Sequence, residues 1–297
     1  MSFPSIRMRS AARLARIISL LSLAVALGGC TMVKLGYDSL AQVGYWWIDG
    51  YVDFDEAQSA AVRDDLARIH AWHRVNELPR YVQLLQQFER LAPGDVSPAQ
   101  ACAFEPELRA RADALRYRFE PALIAHALTL QPHQLDHLER KFQERNREYQ
   151  KDWGRLPPDE LVDKRLKEFV DRAEMVYGRL DGGQRALMRQ MLKNSVYNPA
   201  MVAAESRRRQ QDILGTLRHV AGQPVEIPQA RAAVHGLLDR VVVPPDAAHR
   251  AYLESMRQET CRMISAMHNS MRPQQRDYAA RRLRGWQRDL RELAGGS

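Results

Sequence analysis

Apolar residues recur along most of the chain at spacings of three and four. Leu135, Leu138, Phe142 and Tyr149 form one such stripe, and Leu161, Leu166, Phe169, Val170 and Met175 form another. A period near 3.6 places such positions on one face of a helix. No alternating apolar–polar run of useful length occurs, and no Asn-Gly turn joins two β-branched runs. Val241 to Val243 is β-branched, but Pro244 and Pro245 end it at once. The pattern predicts an all-α protein.

Helix starts are marked repeatedly. Asp55-Glu-Ala-Gln58, Ser97-Pro-Ala-Gln100 and Asp181-Gly-Gly-Gln184 each set an oxygen-bearing side chain three residues before a glutamine. This is the outline of a capping box, in which the first side chain accepts from an orphan amide and the second reaches back. Gln131-Pro-His-Gln134 and Arg272-Pro-Gln-Gln275 share the spacing with a poorer cap. Pro98, Pro132 and Pro273 fit the first helical position, where a missing N–H costs nothing. An apolar residue precedes each element: Phe54, Val96, Leu130, Leu180 and Met271. The repeated element loosely resembles the LTxxQ elements of small helical periplasmic stress chaperones, although helix capping alone generates the same pattern.

Breaks are expected at Pro79, at 92–97, and at Pro106, Pro121, Pro157-Pro158 and Asn198-Pro199. Others fall at 222–228 and Pro244-Pro245. The last helix should run from about Gln274 to Leu293. No linker is long enough to force a domain boundary. The expected architecture is one elongated multi-helix bundle or array over residues 55–297.

The N-terminus follows a different pattern. Residues 1–16 carry four arginines and no acid, and the apolar run Ile17 to Leu27 follows. That run is too short to span a bilayer, which needs about 20 apolar residues. Leu27-Gly28-Gly29-Cys30 comes next and resembles the bacterial lipobox. Such a resemblance implies removal of residues 1–29 and lipidation of Cys30, leaving 30–54 as an aromatic-rich tether. Thr31, rather than Asp, at the second mature position implies the outer membrane, facing the periplasm, over the inner membrane.

Charge changes the picture little. The formal net charge is +8, and Arg7, Arg9, Arg13 and Arg16 contribute four of it, leaving +4 after processing. Arg207-Arg208-Arg209 and Arg281-Arg282 with Arg284 are local basic runs. A solvated helical face or contact with anionic headgroups suits them, and the compartment argues against nucleic acid. Three cysteines occur in all, so Cys102 and Cys261 remain once Cys30 is set aside. An oxidising compartment favours a disulfide between them, with two buried free thiols as the alternative.

Residues 36–58 read GYDSLAQVGYWWIDGYVDFDEAQ, and Trp72-His73-Arg74 and Glu77-Leu78-Pro79-Arg80-Tyr81 follow. Together with Cys30 and Tyr37, these resemble a family of Gram-negative lipoproteins catalogued as domain of unknown function 6279. The resemblance implies localisation and overall type, and no activity. Tyr45, Trp46, Trp47 and Tyr51 have amphipathic rings that suit a membrane interface, or they pack the first helix onto the body. Among the acids Asp49, Asp53, Asp55 and Glu56, Asp55 fits a helix cap. Arg74 and Arg80 are candidate ion-pair partners for the group.

Enzyme signatures are missing. There is no G-x-S-x-G elbow, no phosphate loop and no H-E-x-x-H. His70 with His73, and His133 with His137, share helix faces, but the sequence places no third ligand, so no metal and no cofactor are expected. The expectation is a non-catalytic binding, scaffold or chaperone-like envelope protein. It would be held to the membrane through Cys30 and would act on an envelope protein partner. The alternative is an envelope enzyme or a carrier of a small ligand or lipid, with a cavity between helices.

Overall fold

The caps and prolines divide the chain into helices much as the pattern predicts. The computed structural model describes residues 33–222 and 225–295, and these contain helices and no strand. After a helical stretch over 33–38, α1 (Leu40–Val52), α2 (Glu56–Asn76) and α3 (Leu78–Leu91) follow in close succession. Next come the short α4 (Pro98–Cys102), α5 (Glu105–Ala127) and α6 (Pro132–Tyr149), which ends in a π-helical turn at Gln150–Gly154. The second half holds α7 (Pro158–Tyr177), α8 (Gly182–Lys193), α9 (Pro199–Ala221), α10 (Ile227–Val242), α11 (Ala247–Asn269) and α12 (Pro273–Leu293). The fold is an all-α multi-helix array.

The glutamines of the capping elements join helix ends to one another. Gln58, Gln100 and Gln184 complete capping boxes with Asp55, Ser97 and Asp181. In the two poorer elements only the reach-back survives: Gln134 and Gln275 accept from the backbone N–H of Gln131 and Arg272. Four of these glutamines then pair. Gln134 Nε2 donates to Gln58 Oε1 at 2.7 Å, and Gln58 Nε2 donates back at 3.2 Å. Gln184 and Gln275 repeat the exchange at 2.7 and 3.1 Å. Spare amide hydrogens reach the carbonyls of Asp53, Thr129, Ser270 and Arg179. Each pair therefore ties two helix–turn–helix corners together through buried or half-buried groups that are almost fully satisfied, as burial requires.

Two cores form around these corners. One gathers Leu135 and Leu138 of α6, Leu214, Leu217 and Val220 of α9, and Val234 of α10. The other gathers Val162 and Val170 of α7, Met188 and Leu192 of α8, and Met263 and Met267 of α11. Complete burial of a residue such as Met188 contributes about 1.5–3 kcal/mol. The helix pairs α3–α12, α6–α9 and α4–α11 bring distant parts of the sequence together.

Three expectations need correction. Pro121 does not break the chain, because α5 runs through it. An interior proline costs about 3 kcal/mol, but Ile124 and Ala127 beyond it are buried in the first core, and α5 packs on both α2 and α10. Met175 does not join the buried stripe of α7 and stands 57% exposed, while Val162 is buried. Arg74 pairs with Asp38 rather than with the acids at 49–56. Asp49 instead accepts from the backbone N–H of Phe54 at 3.0 Å and closes the turn after α1, where Asp53 takes a left-handed φ of 60°.

Candidate ligand cavity

Helices α3, α7, α11 and α12 do not close fully on one another. Between them lies a cavity of about 850 Å3, a volume typical of small-molecule sites. Phe88 of α3, Phe169 and Ala173 of α7, and Ile264 of α11 line it, with Trp286 of α12. Cys102 of α4 and Phe104 and Leu108 at the head of α5 supply a further wall. Phe88 and Phe104 meet at 4.0 Å between ring centroids and fix that corner. The lining is dominated by aliphatic and aromatic side chains.

The polar groups around the cavity are engaged with one another. Glu259 is buried, accepts from the Ser195 hydroxyl and from the Val196 N–H at 2.7 Å, and lies 3.8 Å from Arg165. Burial pulls the Arg165 guanidinium below its ordinary pKa, and Glu259 opposes that shift. His268 uses both ring nitrogens: Nε2–H donates to the Gly94 carbonyl at 2.7 Å, and Nδ1 is hydrogen-bonded to the Tyr177 hydroxyl at 2.9 Å. Burial lowers the His268 pKa and so favours the neutral imidazole, in which Nδ1 accepts from Tyr177. Burial also pushes Tyr177 up to about 12. Arg257 pairs with Glu105 and Glu254 at 3.1 and 2.6 Å.

Cys102 and Cys261 form a disulfide in the cavity wall, with Cα atoms 5.4 Å apart. It fastens the five-residue α4 to α11, and Arg257 Nη1 lies 3.1 Å from Cys102 Sγ. A helix of five residues has little stability of its own, so the covalent link holds this wall in place.

A second, smaller groove of about 370 Å3 adjoins the cavity. Leu85, Phe88, Leu108 and Trp286 border both, and Val33, Tyr81, Leu84 and Leu290 complete the groove. The apolar lining is thus continuous from Val33 into the interior.

The remaining sequence candidates scatter. Cys30 and the residues before it, Leu27, Gly28 and Gly29, lie outside the described residues. Tyr45 is buried and its hydroxyl donates to Ser59 at 2.9 Å. Tyr51 is half-buried beside Phe142, whereas Trp46 and Trp47 face outward. His70 and His73 sit against Tyr37, whose hydroxyl is hydrogen-bonded to His73 Nδ1 at 2.9 Å. No group of three or more His, Cys, Asp or Glu among the described residues is placed to hold a metal ion. In the basic runs, Arg208 and Arg209 both grip Glu205, Arg284 pairs with Glu89, and Arg282 lies over the Trp286 ring. The two arginines hold Glu205 down at about 2. Sequence reasoning offered a cavity between helices only as the alternative and placed none of its residues, since the lining comes from seven separate helices and carries no local motif.

The model of the family of unknown function DUF6279 matches residues 50–224, more than half of the chain. The chain belongs to this family. No curated protein and no solved structure matches it. The DUF6279 match contains the Trp72 to Tyr81 segment, whose role here is structural in part: Tyr37, His73 and Tyr81 stack where α2 turns into α3. It also contains the α3 and α7 walls of the cavity, while α11 and α12 lie beyond the matched residues.

Proposed function

We propose that this DUF6279 protein is a non-catalytic, lipid-anchored envelope protein whose helical body binds an acyl-chain ligand. One observation carries the reading: a cavity of about 850 Å3 with an apolar lining that continues to Val33, three residues after Cys30. A lipid on Cys30 would set the mouth of that groove close to the membrane, on the periplasmic side of the outer membrane. The charged groups at the rim are already paired, so the lining favours a long apolar chain over a polar metabolite. The non-catalytic aspect rests on the same pairing, since Glu259, His268 and Tyr177 are committed to structural hydrogen bonds. A chaperone-like role toward an envelope protein has one observation in its favour. Leu108 and Ile264 are exposed at the cavity edge and would extend an apolar lip to a peptide.

The test is displacement of a fluorescent fatty acid by palmitate. Ala173→Trp fills the cavity from α7 and should weaken binding at least tenfold, with the fold checked by circular dichroism. No binding to the natural protein, or equal binding by the variant, would overturn the acyl-chain reading. Suppression of client aggregation without fatty-acid binding would transfer it to the chaperone-like one.

A further inference from the structure

We infer that the outward face of α1 docks on the surface of a lipid bilayer. Gly36, Leu40, Val43, Trp47 and Gly50 are spaced by three and four residues, which sets them along one side of the helix. Leu40 and Val43 are exposed, Trp46 is 60% exposed and Trp47 67%. A methyl group built on Gly36, Gly44 or Gly50 would meet nothing within 4 Å, so these glycines also face open space. The opposite side of α1 is the packed one: Tyr45 is 3% exposed and bonds to Ser59 of α2. Residues 39–48 carry no charge at all. A helix that is anchored on one side and bare, apolar and aromatic on the other presents an interaction surface.

The occupant follows from chemistry and from chain length. Indole rings with an apolar body and a polar N–H settle at the headgroup level of membranes. Ten residues separate Cys30 from Leu40, a reach of at most about 36 Å when fully extended, and residues 33–38 are helical and so span less. A lipid on Cys30 therefore keeps α1 beside the bilayer. From the proposed function this inference takes that lipid alone and not the cavity ligand. The glycines lower the helix surface around Trp46 and Trp47, so the rings project and can enter the interface before any neighbouring side chain. Docking through α1 would fix the orientation of the whole body on the membrane, which a lipid tether alone leaves free.

The experiment uses the full lipidated protein on vesicles made with phospholipid brominated on its acyl chains. Flotation reports the anchor, and bromine quenching of tryptophan reports docking. Emission should fall by up to roughly two-fifths, the share of Trp46 and Trp47 among the five tryptophans. The loss should vanish in the double variant Trp46→Phe/Trp47→Phe. Flotation without quenching overturns docking and leaves the anchor intact. Quenching without flotation upholds docking and removes the anchor. If neither occurs, both readings fall. Quenching that persists in the double variant belongs to Trp72, Trp153 or Trp286 and overturns the inference. Rings reached neither by bromine nor by aqueous iodide are covered by protein, with the same consequence.

Discussion

The side-chain amides of Gln58 and Gln134, 76 residues apart in the chain, face each other and exchange hydrogen bonds. Each also serves its own helix start, so one amide caps a helix and clasps a neighbouring corner at once. Gln134→Ala should cost about 1–3 kcal/mol, since it strands a buried partner. Urea unfolding measures this, and Gln184→Ala should behave alike. Combined with Gln58→Ala, the loss should fall short of the sum by at least about 0.5 kcal/mol. Strict additivity would show that the amides do not act as a pair.

The bond between Cys102 and Cys261 closes a separation of 159 residues. On the chain-entropy model its removal costs roughly 4–5 kcal/mol. Cys102→Ala/Cys261→Ala should lose about that much in denaturant unfolding and should bind acyl-chain probes less well, as α4 loosens from α11. A thiol reagent should label neither cysteine in the unreduced, denatured protein. Labelling of both would disprove the bond.

Acid should weaken the fold through the buried His268 and the half-buried His73. Burial lowers the pKa of His268 and of His73, and Arg276 and His70 add to the respective shifts. The unfolded chain then binds protons that the folded one refuses, so stability rises with pH in this window. The contribution is present above the unfolded value of about 6.5 and is lost as pH falls through the depressed folded values. His268→Gln should lower stability at neutral pH and flatten its dependence between pH 7 and 5. An unchanged slope would remove His268 from the account.

Glu205 gives a separate, more acidic signature. Arg208 and Arg209 hold its carboxyl at about 2, so its contribution is present above the usual carboxylate range and is lost as pH falls toward 2. Asp212, which Arg208 reaches within α9, also takes Arg240 of α10, and that pair joins the two helices. Glu205→Gln should cost about 1–3 kcal/mol at pH 7 and clearly less at pH 2, where about half of the carboxyl is already protonated. Calorimetry at the two pH values checks it.

The helices were legible because their signals are local. Gln58, Gln100 and Gln184 lie three residues from their caps, and the prolines at 98, 132 and 273 stand where a helix must begin. Pro121 misled because its cost is local too, whereas the burial of Ile124 and Ala127 that outweighs it involves other helices. Met175 misled for a related reason: its spacing fits the stripe of α7, but no neighbour covers that position.

The candidate sites divide in the same way. From the sequence alone came the all-α class, the helix starts and the family resemblance, while Tyr45, Trp46, Trp47 and Tyr51 stayed open between a membrane interface and packing. Spacing says which residues share a face and not which face meets a neighbour. Tertiary packing decided that Tyr45 turns in toward Ser59 while Trp46 and Trp47 turn out. It also decided that Gln58 finds Gln134, and that Phe88, Phe169 and Ile264 surround one cavity. These are long-range relationships: they depend on how helices separated by scores of residues settle against one another, and no short stretch of chain carries that information.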